Sequence, residues 1–206
     1  MEHELAHPLR LNLGCGPNAL EGWTNIDSVA HPGVDHVADL REGLPFEHVA
    51  FIYAEHFIEH LPYDDALSLM RECRRVLRVD GVLRLSTPNL DWVWASHYRR
   101  TFEKEEHELL GCFWMNLAFH GWGHQFLWNF ATLKATLLDA GFGEVLRVQY
   151  GESTYPELRG IERHEQRPDF DDLSHILIVE ASGHGGHVPD SIEDGRAAYR
   201  REINAR

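Results

Sequence analysis

Residues 9–17 read LRLNLGCGP, a short apolar run that ends in a turn with two glycines. Gly14 and Gly16 lack the side chains that would keep a ligand away from the backbone. Further short apolar runs follow at residues 23–27, 35–39, 50–54 and 82–87. Apolar residues with helical spacing separate the last two runs, at Ala66, Met70, Cys73 and Leu77. Strands that alternate with helices predict an α/β fold with a largely parallel sheet and helices on both faces.

The stretch 88–128 interrupts this alternation and contains five of the six tryptophans of the chain. It is too long for an ordinary connection and too aromatic for a solvated loop. We therefore predict a helical, aromatic-rich insertion after the fifth strand, which caps the substrate. Two more runs, 144–150 and 174–181, bring the sheet to about seven strands. Since the last predicted strand ends at residue 181, we divide the chain into a domain at residues 1–182 and a polar C-terminal tail at residues 183–206.

The composition argues against several classes of partner. The 206 residues suit one domain, and 19 basic against 33 acidic residues give a formal net charge of -14. Phosphate binding needs clustered Lys and Arg, so a nucleic-acid partner is not expected. No apolar run approaches the roughly 20 residues of a membrane span, and the first residues do not form a signal peptide. The three cysteines are too scattered for a disulfide framework. We expect a cytoplasmic protein without a membrane partner.

Two acids follow the glycine turn, each at the end of a predicted strand. Asp27 closes the second strand, where a carboxylate can accept hydrogen bonds from both hydroxyls of a ribose. Asp39, followed by Leu40, closes the third, where it could meet an adenine amino group. Because ligands of open α/β sheets bind at the carboxyl ends of the strands, this series predicts a site for an adenosyl ligand without a pyrophosphate. A plain tight turn, a strand-end cap and a helix N-cap are the simpler structural alternatives.

These motifs resemble those of the class I S-adenosylmethionine-dependent methyltransferases, and in particular the compact type 11-like group. The resemblance covers roughly residues 9–181. It rests on LNLGCGP at 11–17, NID at 25–27, DL at 39–40, EHL at 59–61, RVLRVDGVLRL at 75–85 and the segment 133–142 that ends in AGF. It implies a Rossmann-like, doubly wound sheet of about seven strands with the last strand antiparallel, and S-adenosylmethionine as the cofactor.

The resemblance also implies which residues bind the cofactor. Gly14 and Gly16 would face its methionine end, Asp27 its ribose and Asp39 its adenine. The full expected set is Leu13, Gly14, Cys15, Gly16, Asp27, Asp39, Leu40, Ala54 and Glu55. One departure from the family is the short connection of ten residues between Gly16 and Asp27, which has no room for the usual helix. That face of the sheet is then partly open, and cover for the substrate must come from elsewhere or from another subunit, so a homodimer is a candidate assembly.

Histidines are the candidates for a catalytic base, because imidazole titrates near neutral pH. We expect His124 first, in the sequence HGWGH at 120–124, with His60 and His164 behind it. The residues expected to contact the substrate are His120, Trp122, Tyr155 and Glu162. The predicted reaction is methyl transfer to a hydroxyl, with an amine less favoured, of a small molecule or a saccharide.

Several alternatives accompany this prediction. The sequence HFIEH at 56–60 matches the H-x-x-E-H motif of inverted zinc proteases, but it directly follows a strand, whereas that motif requires a helix. Some related O-methyltransferases hold a divalent metal here, so His56, Glu59 and His60 form a secondary, less favoured metal hypothesis. A non-catalytic methyltransferase-fold partner subunit is the main functional rival. An NAD-dependent oxidoreductase is another, although Ala19 replaces the third glycine of its fingerprint.

Overall fold

The computed structural model describes residues 8–98 and 105–205. Residues 99–104 of the predicted insertion lie outside the described residues, as do the two chain ends. Seven strands form one sheet in the order β3-β2-β1-β4-β5-β7-β6. The strands are β1 (Arg10–Leu13), β2 (Thr24–Asp27), β3 (His36–Val37), β4 (Val49–Glu55), β5 (Leu77–Pro88), β6 (Glu144–Val148) and β7 (Ile176–Ser182).

The strand directions confirm the predicted fold class. β1 to β5 pair in parallel, whereas β7 runs antiparallel to both β5 and β6. The predicted aromatic insertion after β5 is also present and helical. The helices are α1 (Tyr63–Val76), α2 (Leu90–Val93), which continues as a π-helical turn (Trp94–Tyr98), α3 (Glu105–His120), α4 (Phe130–Asp139) and α5 (Ser191–Asn204). None of the described helices is long and apolar enough to cross a membrane.

One face of the sheet packs against α1, α4 and α5. The α1 residues Ala66, Met70 and Cys73 are buried in this layer, as their helical spacing predicts. The predicted C-terminal tail contains α5, which joins the same layer through Tyr199 and through an ion pair between Arg196 and Asp139 at 2.9 Å. The buried apolar area of this layer is the main source of stability of the domain.

The second face has a different cover. The connection between β1 and β2 contains turns and no helix, as its length of ten residues predicts. Leu158 and Ile161, from the long connection between β6 and β7, pack there against Phe51 and Tyr53 of β4. None of the described α-helices contributes to this second apolar cluster. A segment of irregular backbone therefore takes the place of the helices expected on this face.

A buried ion-pair network fixes that segment to the sheet. The Arg84 guanidinium of β5 donates to Glu162 of the connection at 2.7 Å and to Glu180 of β7 at 2.6 Å. It also donates to the backbone oxygen of Glu152 at 2.9 Å. The side chains of Arg84 and Glu162 are completely buried, and that of Glu180 is 6% exposed. Because buried charges are stable only when they are paired, this network determines where the connection lies.

We expect Arg84→Met to lower the free energy of unfolding by about 3–5 kcal/mol, because it leaves two buried carboxylates without their partner. The matched control is Arg200→Met, which removes an exposed guanidinium that pairs with Asp64 at 2.6 Å and should cost at most about 1 kcal/mol. Urea unfolding followed by circular dichroism measures both values. Equal losses in the two variants would contradict the role of the buried network.

Candidate functional site

The glycine turn follows β1 and is hydrogen-bonded to Asp27 at the end of β2. Gly14 and Gly16 adopt φ angles of 62° and 50°, which favour glycine. The Asp27 carboxylate accepts the backbone N–H of Gly16 at 2.8 Å and that of Val29, also at 2.8 Å. Asp27 therefore holds the turn in shape, and each of its oxygens retains a further lone pair for another donor. Leu13 and Cys15, which flank Gly14, are buried.

The two glycines differ in what surrounds them. A Cβ atom at Gly14 would lie 2.3 Å from the ring of Phe57, so glycine is required there for packing. A Cβ atom at Gly16 would meet nothing within 4 Å. Gly16 therefore borders open space that a ligand can occupy.

Asp39 and Leu40 lie beyond β3, at the same edge of the sheet. Asp39 caps the short helical turn Leu40–Glu42 by accepting the backbone N–H of Arg41 at 3.0 Å. The Arg41 guanidinium also donates to both carboxylate oxygens, with a shortest distance of 2.6 Å. These bonds to Arg41 lower the pKa of Asp39 to about 2. Leu40 is buried beneath this pair.

A cavity of about 280 Å³ opens beside the glycine turn, and we call it the glycine-turn cavity. Its wall opposite the turn comes from the end of β4 and from the β6–β7 connection. Glu55 accepts the backbone N–H groups of Arg163 and His164 at 2.9 Å and 3.1 Å. Ala54 is buried just before it. The lining residues are Asn12, Gly14, Cys15, Gly16, Pro17, Asn18, Leu20, Tyr53, Glu55, His56, Arg163 and His164.

A larger cavity of about 540 Å³ lies under the helical insertion, and we call it the aromatic cavity. Three tryptophans and six histidines line it, namely Trp92, Trp114, Trp122, His56, His60, His97, His124, His164 and His175. His56 and His164 line both cavities. Their rings stack with centroids 4.0 Å apart and planes inclined by 22°. The two cavities therefore meet at this pair of imidazoles.

Glu59, His60 and His124 form a compact group in the wall of the aromatic cavity. Glu59 is completely buried, and one of its carboxylate oxygens accepts the hydroxyl of Thr87 at 3.0 Å. Nδ1 of His124 lies 2.7 Å from the backbone oxygen of Ala118, to which it can donate, so Nε2 keeps its lone pair. The H-x-x-E-H segment forms a single 3-10 turn, Ile58–His60, so its two histidines do not share one face of an α-helix as the protease motif requires.

The four residues expected to contact the substrate do not lie together. Trp122 lines the aromatic cavity, whereas His120 is exposed and does not. Tyr155 packs against Phe51 on the second sheet face, at 5.8 Å between ring centroids. Glu162 is bound to Arg84 in the buried network, so its carboxylate lines neither cavity. Of the four substrate candidates, Trp122 alone lines the aromatic cavity.

Sequence reasoning missed several residues of the aromatic cavity. Burial lowers the pKa of His175 to about 4 and also lowers the pKa of His97, so both rings are neutral at pH 7. His175 immediately precedes β7. A signal for it was available, because the start of an antiparallel last strand meets the carboxyl ends of the parallel strands. Trp92 and Trp114 offered no more specific signal than the aromatic character of their segment.

Comparison with known proteins identifies the fold. No family model and no curated protein matches the sequence. An S-adenosylmethionine-dependent methyltransferase from Thermotoga maritima, described as a possible histamine N-methyltransferase, is 17% identical with a TM-score of 0.54, over 86% of this chain and 83% of that one. Another S-adenosylmethionine-dependent methyltransferase, from Archaeoglobus fulgidus, is 15% identical with a TM-score of 0.53, over 85% and 86%.

A third match is the CMeT domain of the citrinin polyketide synthase, at 17% identity and a TM-score of 0.50. That match covers 88% of this chain but only 47% of the other, so the present chain spans about half of that structure. At these identities the likeness concerns the fold. The chain has the fold of the class I S-adenosylmethionine-dependent methyltransferases.

We expect Gly14→Ala and Gly16→Ala to differ in stability. Gly14→Ala combines a contact of 2.3 Å with Phe57 and a φ of +62°, and it should cost about 2–4 kcal/mol. Gly16→Ala meets no neighbour and should cost about 1 kcal/mol through its backbone alone. Urea unfolding compares the two variants. A Gly16→Ala loss as large as that of Gly14→Ala would show that Gly16 does not border open space.

Proposed function

We propose that the protein is an S-adenosylmethionine-dependent methyltransferase that methylates a hydroxyl group of a small molecule or a saccharide. The cofactor occupies the glycine-turn cavity and the acceptor occupies the aromatic cavity. The observation that carries this proposal is that His56 and His164 line both cavities. A methyl group passes directly between two ligands only where their sites adjoin, and this junction supplies such a place.

The cofactor assignment is supported at the ends of β1 and β2. Gly16 leaves the backbone open for the methionine end. Asp27 has unused lone pairs for the ribose hydroxyls, since the donors that it accepts among the described residues are two backbone N–H groups. Asp39 and the buried Leu40 are assigned to the adenine end by their order along the chain alone, because they line neither cavity and both Asp39 oxygens already accept from Arg41.

His164 is the base in this proposal, because it is the one of the three histidine candidates that lines both cavities. Its Nδ1 lies 3.5 Å from Oε1 of Glu55, which orients the ring and leaves Nε2 to accept a proton. The acceptor oxygen attacks the methyl carbon, the C–S bond breaks, and its electron pair returns to sulfur. The hydroxyl proton goes to Nε2 of His164, and Glu55 stabilises the imidazolium that forms.

The acceptor assignment follows from the lining of the aromatic cavity. Its volume of about 540 Å³ suits a small organic molecule. Trp92, Trp114 and Trp122 present flat apolar surfaces on which a ring or a saccharide face can stack. A hydroxyl needs assistance in losing its proton, and the histidines of the cavity are suited to give it.

Gly16→Ala tests the position of the cofactor. We expect it to weaken binding of S-adenosylhomocysteine at least tenfold, about 1.4 kcal/mol, because the new methyl group occupies the space of the ligand. Gly22→Ala is the matched control, since Gly22 has a φ of +76° and open surroundings but does not line the cavity. Calorimetric titration measures both. Folded wild-type protein that binds neither S-adenosylmethionine nor S-adenosylhomocysteine would contradict the cofactor assignment.

His164→Asn tests the base. Release of S-adenosylhomocysteine is measured with a panel of phenols, saccharides and amines, and the best acceptor is then used for the variants. We expect kcat to fall by about 10²–10⁴-fold, with a smaller change in the affinity for S-adenosylmethionine, because His164 also lines the glycine-turn cavity. His120→Asn is the control, because His120 is exposed and lines neither cavity. Unchanged turnover in His164→Asn would refute the base, and cofactor binding without turnover of any acceptor would favour the partner-subunit alternative.

A further inference from the structure

Glu59, His60 and His124 present a set of ligand atoms typical of a metal site. One carboxylate oxygen and one ring nitrogen from each histidine lie within 4.8 Å of one another. Two imidazoles and one carboxylate are a common ligand set for Zn²⁺ and similar divalent transition metals. All three residues line the aromatic cavity, so a fourth ligand could approach from it.

The burial of Glu59 gives independent evidence for a cation. Its side chain has no exposure to solvent. Oε2 accepts the Thr87 hydroxyl, but Oε1 has no hydrogen-bond partner among the described residues, and Nδ1 of His56 lies 3.3 Å from it. A completely buried carboxylate with one oxygen outside any hydrogen bond is costly unless a positive charge, either a metal ion or a protonated His56, compensates it. The free oxygen belongs to the same carboxylate that meets His60 and His124.

His124 is held in the orientation of a metal ligand. Its Nδ1 lies 2.7 Å from the Ala118 carbonyl, which fixes the tautomer and frees Nε2, as is usual for histidines that bind metals. The backbone oxygen of Glu59 accepts the N–H groups of Gln125 and Phe126 at 2.7 Å and 3.2 Å. The Gln125 side chain donates to the backbone oxygen of His60 at 2.7 Å. These bonds connect the two segments before any ion arrives, so little ordering is needed on binding.

We propose that Glu59, His60 and His124 bind one divalent transition-metal ion, of the zinc and cobalt class, with an open position toward the aromatic cavity. This set differs from the set His56, Glu59 and His60, because Nδ1 of His56 faces Glu59 from the side of His164. If the proposed methyl transfer takes place, the ion binds the acceptor oxygen and assists the loss of its proton to His164. That role rests on the proposed function, whereas the metal site itself does not.

Direct titration tests the site without cofactor or acceptor. Tag-free full-length protein is treated with EDTA, dialysed and titrated with Zn²⁺ by calorimetry and with Co²⁺ by visible absorption. We expect one ion per chain and a weakening of at least about 100-fold in His60→Ala and in His124→Ala. His97→Ala is the matched control, since His97 lines the same cavity outside the group and should leave binding unchanged. Circular dichroism verifies that each variant is folded.

The proposal is overturned if folded wild-type protein binds neither ion, or if His124→Ala binds as tightly as wild type. Loss of binding in His56→Ala with full binding in His124→Ala would also overturn it, in favour of the other ligand set.

Glu59→Gln provides a readout that a purely structural role would not produce. It removes the buried charge but keeps the size of the side chain and an acceptor for Thr87. We expect a higher Tm than wild type without metal, and no further rise on addition of Zn²⁺, whereas wild type should rise. A lower metal-free Tm together with an undiminished response to Zn²⁺ would contradict the assignment of Glu59. Methyl transfer is assayed separately with and without EDTA, so the failure of either proposal is visible on its own.

Discussion

The arrangement of both cavities depends on the buried ion pairs that Arg84 forms with Glu162 and Glu180. The Arg84 guanidinium joins β5 to β7 through Glu180 and to the β6–β7 connection through Glu162. Charges buried to this extent cannot separate without a large loss of free energy, so the connection is held close to the sheet. The residues that immediately follow Glu162 are Arg163 and His164. Their backbone N–H groups reach Glu55 because the network has already fixed the residue before them.

The short connection after β1 makes this arrangement necessary. Residues 17–22 form turns, and this connection covers the face only with Leu20 and with Trp23, which packs on Tyr53, so the remaining apolar surface needs another cover. The β6–β7 connection supplies Leu158 and Ile161 for that purpose. A segment that covers the core in this way also carries His164 to the junction of the cavities. Stability of the second face and the proposed chemistry therefore depend on the same stretch of chain.

The parts of the fold that could be predicted are those that local sequence determines. The glycine turn, the apolar stripe of α1 and the aromatic insertion each lie within a short window, where periodicity and composition are informative. Glu162 pairs with Arg84, which lies 78 residues earlier in the chain, and no local pattern predicts that pairing, so the sequence alone presents Glu162 as a substrate contact. The bond between Asp39 and Arg41, in contrast, spans two residues and agrees with the helix N-cap that the local sequence also indicates. His124 and Glu59 meet through tertiary contacts alone.

The proposed methyl transfer changes the charge of several groups, and charged side chains that could stabilise these changes are already in place at the site. The sulfonium of the proposed cofactor loses its positive charge, and a proton leaves the acceptor oxygen. Glu55 lies against His164 and is held by two backbone N–H groups, so it can stabilise the imidazolium without moving. On the other side, a metal at Glu59 would hold the acceptor oxygen in a part of the wall connected by the Gln125 bonds. Preorganised groups of this kind lower a barrier more than mobile ones, because no reorientation is needed as the charge moves. The connection that Arg84 fixes to this sheet face would thus also hold His164, the proposed base, in position.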